Sequence, residues 1–365
     1  MVDELPNQVK KGRGAVSNAA GRFEPHARVA VDDGWQLSGD QDGVRKLRTE
    51  VTVERVKSAL TRNTSPDIAF DRSLNPYRGC EHGCVYCYAR PTHAYMNLSP
   101  GIDFESKLFA KTNMAKVLEA QLRKPNYEPA TVLIGANTDP YQPIERDYRI
   151  TRELLEVLQA YRHPTVIITK NHMVTRDLDV LVDMARDNLI AVGFSLSTLD
   201  GDLARTMEPR ASTPKRRLQA MKTLSDVGVP VTVLAAPMVP TLNDHELEAI
   251  LQAARDHGAT VATYILLRLP LEVKDLFAQW LQAHAPNKAK RVLSLLSQSR
   301  EGQLYTAQFG KRMTGTGVHA QLLSQRFKLA CKNLGLRPAD PAEFPLNSEA
   351  FLRPPRVGDQ LGLLI

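Results

Sequence analysis

Three of the four cysteines of this 365-residue chain fall within eight residues of one another. The run is Asn75-Pro-Tyr-Arg-Gly-Cys80-Glu-His-Gly-Cys84-Val-Tyr-Cys87-Tyr-Ala-Arg90, a C-x3-C-x2-C spacing. Three thiolates on one tight loop can wrap one face of a metal centre, and Gly79 and Gly83 let the backbone turn sharply around it. Four readings compete. A structural zinc site takes four ligands, so it would draw on His82, His93 or distant Cys331, and this spacing is not a usual zinc spacing. A redox disulfide would use one pair and strand the third thiol. Plain buried cysteines sit poorly among Gly, Glu and His. An iron–sulfur cubane is normally held by four cysteines; with three, one iron stays open, and an open metal position is where substrate chemistry happens.

The elements that must hold this loop alternate along the chain. Short apolar, β-branched runs predict buried strands at Arg72–Arg78, Thr131–Gly135, Thr165–Thr169, Ile190–Leu196, Val229–Ala235 and Thr260–Leu267. Between them lie stretches of helical period: Ser106–Leu122, then segments opened by Thr151, Thr175, Thr213 and Asn243 or Asp244 as capping residues. Six β–α repeats predict a parallel sheet covered by helices. They are too few for a closed eight-stranded barrel and suit an open partial (β/α)6, TIM-like barrel; an open doubly wound sheet is the rival. The predicted organisation is an irregular N-terminal extension over 1–69, the β–α core over 70–285 and a basic, mainly helical region over 286–365. In the extension, Val29–Val31 and Trp35–Leu37 are the apolar pieces that could dock on the body, and Lys10, Lys11 and Arg13 form a small basic patch.

Composition narrows the class. Hydrophobic residues are 43% and charged residues 24%, as in ordinary globular proteins. No apolar run approaches the ~20 residues that span a bilayer, and the first residues carry Asp3 and Glu4 with no secretory core, so the expected compartment is the cytoplasm and no membrane is expected as partner. The net charge of +7 is concentrated: residues 286–337 hold ten bases and one acid, Glu301. With Tyr305, Phe309 and Phe327 interleaved, that segment is a candidate footprint for a nucleic-acid backbone, against the plainer reading of a solvated helix face. The run Gly315-Thr-Gly317-Val-His-Ala320 matches a dinucleotide fingerprint only in letters, since no strand precedes it and no acid follows; a polar loop is the expectation.

Cys80-Glu-His-Gly-Cys84-Val-Tyr-Cys87 resembles the cluster loop of the radical S-adenosylmethionine (SAM) superfamily, C-x3-C-x-aromatic-C. Asn75–Arg90 together with Thr138-Asp-Pro-Tyr-Gln-Pro143 and Glu208-Pro-Arg210 further resembles its branch related to spore photoproduct lyase, the DNA repair photolyase-like proteins. The resemblance covers roughly Phe70 to Pro270. It implies a partial (β/α)6 barrel with a [4Fe–4S] cluster on Cys80, Cys84 and Cys87, S-adenosylmethionine on the open iron, and reductive cleavage to a 5′-deoxyadenosyl radical that abstracts hydrogen from a substrate. A nucleic-acid lesion or base is the substrate it suggests. Radical modification of a peptide or small metabolite, or a non-catalytic iron–sulfur module that binds nucleic acid, are the alternatives. A low-potential electron donor such as a flavodoxin or ferredoxin is the implied partner.

Active-site groups of parallel barrels come from the carboxyl ends of strands. That rule selects Thr138 and Asp139 after the second strand, Lys170 after the third, Ser195 and Ser197 at the fourth and Arg210 in the loop beyond, with Glu208 near it. Lys170 suits a carboxylate partner, and spore photoproduct lyases resemble this chain in placing a lysine there. Tyr86 is an aromatic that the family places near adenine; ordinary loop packing is its other reading. Met238 stands on a candidate adenine wall. One departure matters: the stretch Ile134–Asp139 lacks the hydrogen-returning cysteine of spore photoproduct lyases, and Cys331, flanked by Leu329 and Ala330, reads as a core cysteine. Repair of the spore-specific thymine dimer is therefore not expected.

Overall fold

The computed structural model describes residues 9–24, 26, 47–340 and 345–355. Six strands build the centre: β1 Arg72–Leu74, β2 Val132–Ile134, β3 Thr165–Thr169, β4 Ile190–Ser195, β5 Val231–Met238 and β6 Val261–Leu266. They lie side by side in chain order and all neighbours run parallel. β1 and β2 are buried on both faces, as a sheet covered by helices requires, whereas β6 alternates between half-buried and buried residues; Val132, Ile134, Ile167, Val192 and Val233 are solvent-inaccessible. The antiparallel strand Leu60–Arg62 closes one edge and the short Arg337–Pro338 pairs with β6 at the other. The architecture is the partial, open TIM-like barrel with a helical C-terminal region: Pro286–Gln298 and Gly317–Leu334 are its helices.

Helices return each strand to the same starting edge. Ile150–Ala160 buries Ile150, Leu154, Leu155 and Leu158; Leu247–Asp256 buries Leu247, Ile250, Leu251 and Ala254. This i, i+3, i+4 stripe is what the sequence periodicity showed. Three expected caps have other work, Asn243 among them, since its side chain makes no capping bond. Thr151 lies inside its helix and donates to the Pro140 carbonyl at 2.6 Å. Thr175 lies inside a short 3-10 turn that Asn171 caps by accepting from the Met173 amide at 3.0 Å. Thr213 is a cap, accepting from the Arg216 amide ahead of Pro214.

The predicted helix Ser106–Leu122 is corrected. Ser106 ends a one-turn helix, Lys107–Ala110 is a strand, and Met114–Leu122 is the longer helix. That strand pairs parallel with Glu50–Val53 and antiparallel with Tyr77–Arg78, so backbone partners on both sides override a locally helical pattern. The predicted strand Arg72–Arg78 also divides: Pro76, which has no amide hydrogen to donate, stands between β1 and Tyr77–Arg78, which belongs to this second sheet. The basic patch at Lys10, Lys11 and Arg13 is corrected too, because Arg13 is 5% exposed and bonded inward. Val29–Val31 and Trp35–Leu37 lie outside the described residues. Gly315 and Gly317 form a packed turn that opens the last helix; no strand leads into it.

Candidate functional site

The cysteine loop crosses the carboxyl edge of the sheet as a series of tight turns. The Gly83 amide donates to the Cys80 carbonyl at 3.3 Å and the Cys87 amide to the Cys84 carbonyl at 3.2 Å. Gly83 takes a left-handed conformation (φ +67°) with Glu105 against it, so a side chain there meets both strain and a carboxylate. Cys80, Cys84 and Cys87 are all free thiols; the first two are buried and Cys87 half-buried. Burial pushes the Cys84 thiol up to about 12 despite the nearby Lys170 cation, and pushes Cys80 well above the usual range with Asp139 adding to it. A bound metal removes such protons outright. Among the described residues no group of three or more His, Cys, Asp or Glu side chains is placed to hold a single metal ion. Three thiols spread along one loop, each free to take a different iron, suit a multinuclear iron–sulfur centre.

The loop's other side chains are tied to strand ends. His82 is buried; its Nδ1 lies 3.3 Å from Asp139, within ion-pair distance though not aligned as a hydrogen bond, and its Nε2 is 3.2 Å from Asn171. Asp139 accepts from the Lys170 amide at 2.6 Å, the Thr169 hydroxyl at 2.7 Å and the Tyr141 amide at 2.9 Å. Burial alone would raise its carboxyl; His82 and these donors instead bring it down to about 2. Thr138 donates to the Tyr77 carbonyl at 3.1 Å. Glu81 pairs with Arg210 at 3.2 Å, and its amide donates to Gln142 at 2.9 Å.

Behind Tyr86 lies a buried charge network. The Tyr86 hydroxyl donates to Glu208, as does Ser197 at 2.8 Å, and Arg217 pairs with the other Glu208 oxygen. Arg217 also donates to the Ser195 and Ser212 carbonyls, both at 2.8 Å. Burial would raise Glu208, but Arg217 and Lys170 hold it below the usual carboxylate range. The Lys170 ammonium stands 5.8 Å from the centre of the Tyr86 ring, and although burial opposes its charge, Cys84 and Glu208 hold its pKa above the ordinary lysine value. The Ser195 hydroxyl is spent on the Ala236 carbonyl at 3.0 Å.

The structure therefore gathers Tyr86, Lys170, Ser195, Ser197, Thr138, Asp139 and the three cysteines along one edge, with Arg210 at its rim. Glu208 faces Arg217, whereas Arg210 faces Glu81. Arg217 and the pair Arg90–Glu105 carry no role in the sequence reading, and Gln142 enters it only as part of a motif. Asn243, expected as a cap, makes no capping bond; its side chain donates to the Ser197 and Pro237 carbonyls and accepts from the Val239 amide. Nothing local in the sequence distinguishes Arg217 from its neighbours on a basic helix.

Beside the loop, Arg268 follows β6 and lies 5.4 Å from the Tyr88 ring centre and 6.0 Å from that of Tyr305. Its only hydrogen bond among the described residues is to the Met313 sulfur at 3.5 Å, and no carboxylate meets it. The basic region is uneven. Arg300 is buried on four backbone carbonyls, Arg312 pairs with Asp67, Arg326 with Glu248 and Lys311 with Glu301. Lys288, Lys290, Arg291, Lys328 and Lys332 are exposed. Cys331 is buried in the last helix. No described helix is long and apolar enough to cross a membrane.

Residues 74–254 match the family model of the radical SAM superfamily. An uncharacterized protein of Mycobacterium tuberculosis is 36% identical over 277 residues, covering 73% of this chain and 82% of that relative. An uncharacterized protein of Methanocaldococcus jannaschii is 26% identical over 200 residues, covering 55% of this chain and 73% of that one. The fold is similar to spore photoproduct lyase with bound AdoMet and dinucleoside spore photoproduct: TM-score 0.58, 16% identity, 79% of this chain and 81% of that one.

Proposed function

The chain belongs to the radical SAM superfamily, and on that premise we propose that Cys80, Cys84 and Cys87 hold a [4Fe–4S] cluster whose open iron takes S-adenosylmethionine. The observation that carries this reading is three free thiols on one loop at the carboxyl edge of a parallel sheet, with a lysine cation and an aromatic ring beside them. When bound, cluster and cofactor supply reductive cleavage to a 5′-deoxyadenosyl radical that takes hydrogen from the substrate, with electrons from a flavodoxin- or ferredoxin-type donor.

The chain's own residues bind and position. Lys170 is the side chain left free to meet the cofactor's carboxylate, and Tyr86 offers a ring face fixed by its bond to Glu208. Thr138, Asp139, Ser195, Ser197 and Arg210 act through what they hold: Asp139 sets the Lys170 backbone, Ser197 and Arg217 set Glu208, and Arg210 sets Glu81. The β–α core over 70–285 carries this machinery.

The substrate we propose is nucleic acid. Exposed Lys288, Lys290 and Arg291 on one helix, and the acid-free Arg268 between Tyr88 and Tyr305, support a phosphate-bearing, stackable ligand at the rim. Family membership argues for catalysis over a passive binding module. The test is anaerobic reconstitution followed by strong reduction with S-adenosylmethionine present. We expect 5′-deoxyadenosine, and deuterium in it when a deuterated DNA or RNA is supplied. No deoxyadenosine from an intact, reduced cluster overturns the catalytic reading; deuterium taken only from peptides or small metabolites overturns the nucleic-acid one.

A further inference from the structure

We propose that the N-terminal segment Arg13–Ser17 is a strap that positions the cysteine loop, through Glu105 and Arg90, and so governs how firmly and at what potential the loop holds its cluster. This rests on the cluster reading above. It concerns residues far outside the matched family region, which begins at residue 74.

The geometry is a stack of three layers. Arg90, fully buried, donates to the loop carbonyls of Cys84 at 2.8 Å and Gly83 at 3.1 Å, and to those of Pro100 and Gly101 at 3.0 and 2.9 Å. Its charge is met by Glu105, also fully buried. Glu105 is in turn capped by the strap, accepting from the Gly14 amide at 3.0 Å and the Ala15 amide at 2.9 Å. A buried carboxylate and guanidinium are tolerable only when charge and lone pairs are this fully used.

A second arm reaches the other side of the loop. Arg13 donates to the Glu105 carbonyl at 2.5 Å, the Leu47 carbonyl at 2.7 Å and the Thr49 hydroxyl at 3.2 Å. The Thr49 hydroxyl in turn donates a hydrogen bond to Glu81, the residue after Cys80. Contact with the loop is direct at one point: a Cβ on Gly14 would lie 1.8 Å from the Gly83 oxygen, backbone against backbone. Any side chain at position 14 must push the strap or the turn between Cys80 and Cys84. Ala15 packs on Ile102 and Leu276, and the Ser17 hydroxyl donates to Gln279 at 2.6 Å, which anchors the strap to the body.

The experiment compares Gly14→Ala, Glu105→Gln, the Cys80/Cys84/Cys87→Ala triple variant and Leu251→Ala, a core truncation on a helix remote from the strap. Iron content, the electron paramagnetic resonance spectrum and midpoint potential of the reduced cluster, and the melting temperature of the metal-free protein are read for each. Gly14→Ala should keep a cooperative melt and retain several-fold less iron. Glu105→Gln leaves the Arg90 charge uncompensated beside the loop, which favours the reduced, more negative cluster, so its potential should shift upward. Leu251→Ala should melt earlier with wild-type iron and potential. Should Gly14→Ala fail to fold, the Glu105→Gln potential decides. Wild-type iron and potential in both strap variants, or iron loss that merely follows melting temperature across all of them including Leu251→Ala, overturns the strap. Full iron in the triple cysteine variant overturns the cluster reading instead.

Discussion

Three arginines around the cysteine loop end on acids, Arg90 on Glu105 and Arg217 on Glu208 in the interior and Arg210 on Glu81 at the rim. In residues 286–337 the bases divide. Arg300, Lys311, Arg312 and Arg326 are spent on carbonyls or on acids, whereas Lys288, Lys290, Arg291, Lys328, Lys332 and Arg337 face solvent. Buried pairs set geometry, because their partners cannot be exchanged for water without a large desolvation cost. Exposed charges set long-range attraction and are replaceable. A net charge counted along the chain adds the two kinds together, and so overstated what this region offers a polyanion.

The sharpest break in the comparison comes at the loop itself. Replacing Cys80, Cys84 and Cys87 by alanine should take iron uptake from about four per chain to about none, measured after anaerobic reconstitution. Next is the buried pair. Arg217→Leu leaves Glu208 charged and unmatched, and should cost roughly 3–5 kcal/mol in urea unfolding. A loss below about 1 kcal/mol would make this pair no different from a surface one.

His93 sharpens the loop side through pH. Burial lowers its pKa to about 4, so the folded state resists protonation that the unfolded chain accepts near 6.5. Stability should therefore be complete above pH 6.5 and fall as pH drops toward 4, by about 1.4 kcal/mol per pH unit from this group. Buried His163, also lowered to about 4, adds to the same window. His93→Gln should flatten the acid limb, followed by chemical unfolding at several pH values.

The basic region predicts smaller effects on stability. Reversing Lys288, Lys290 and Arg291 to glutamate should lower the log–log salt slope of nucleic-acid affinity by about 2–3 units, with the fold unchanged. Reversing Arg312 or Arg326 would confound that test, since the first already holds Asp67 of the N-terminal extension and the second Glu248 of the barrel. Smallest is Lys311→Ala: its pair with Glu301 is solvent-exposed, and its loss should cost about 0–1 kcal/mol.

Local pattern carried much of this molecule. Thr165–Thr169 was legible as a strand because its burial on both faces is written in consecutive apolar residues, and β-branching argued the same way. The cysteine loop was legible because all its donors lie on one short stretch of chain, where spacing is itself geometry. Lys107–Ala110 was not legible, because its strand character comes from Glu50–Val53 and Tyr77–Arg78 on either side.

The same limit governs the site. Asp139, Lys170 and Ser197 could be selected by their places at strand ends, and Tyr86 by its place in the cysteine motif. Their partners could not: Glu208 with Arg217, His82 with Asp139, and Arg13 and Gly14 with Glu105 lie up to 92 residues apart. The sequence by itself determined the alternation of strands and helices and the three-thiol loop, since each depends on neighbours along the chain. Which charges cancel, which glycine must stay a glycine and which lysine stands over Tyr86 follow only from the closed fold, because they depend on what distant backbone arrives within bonding distance.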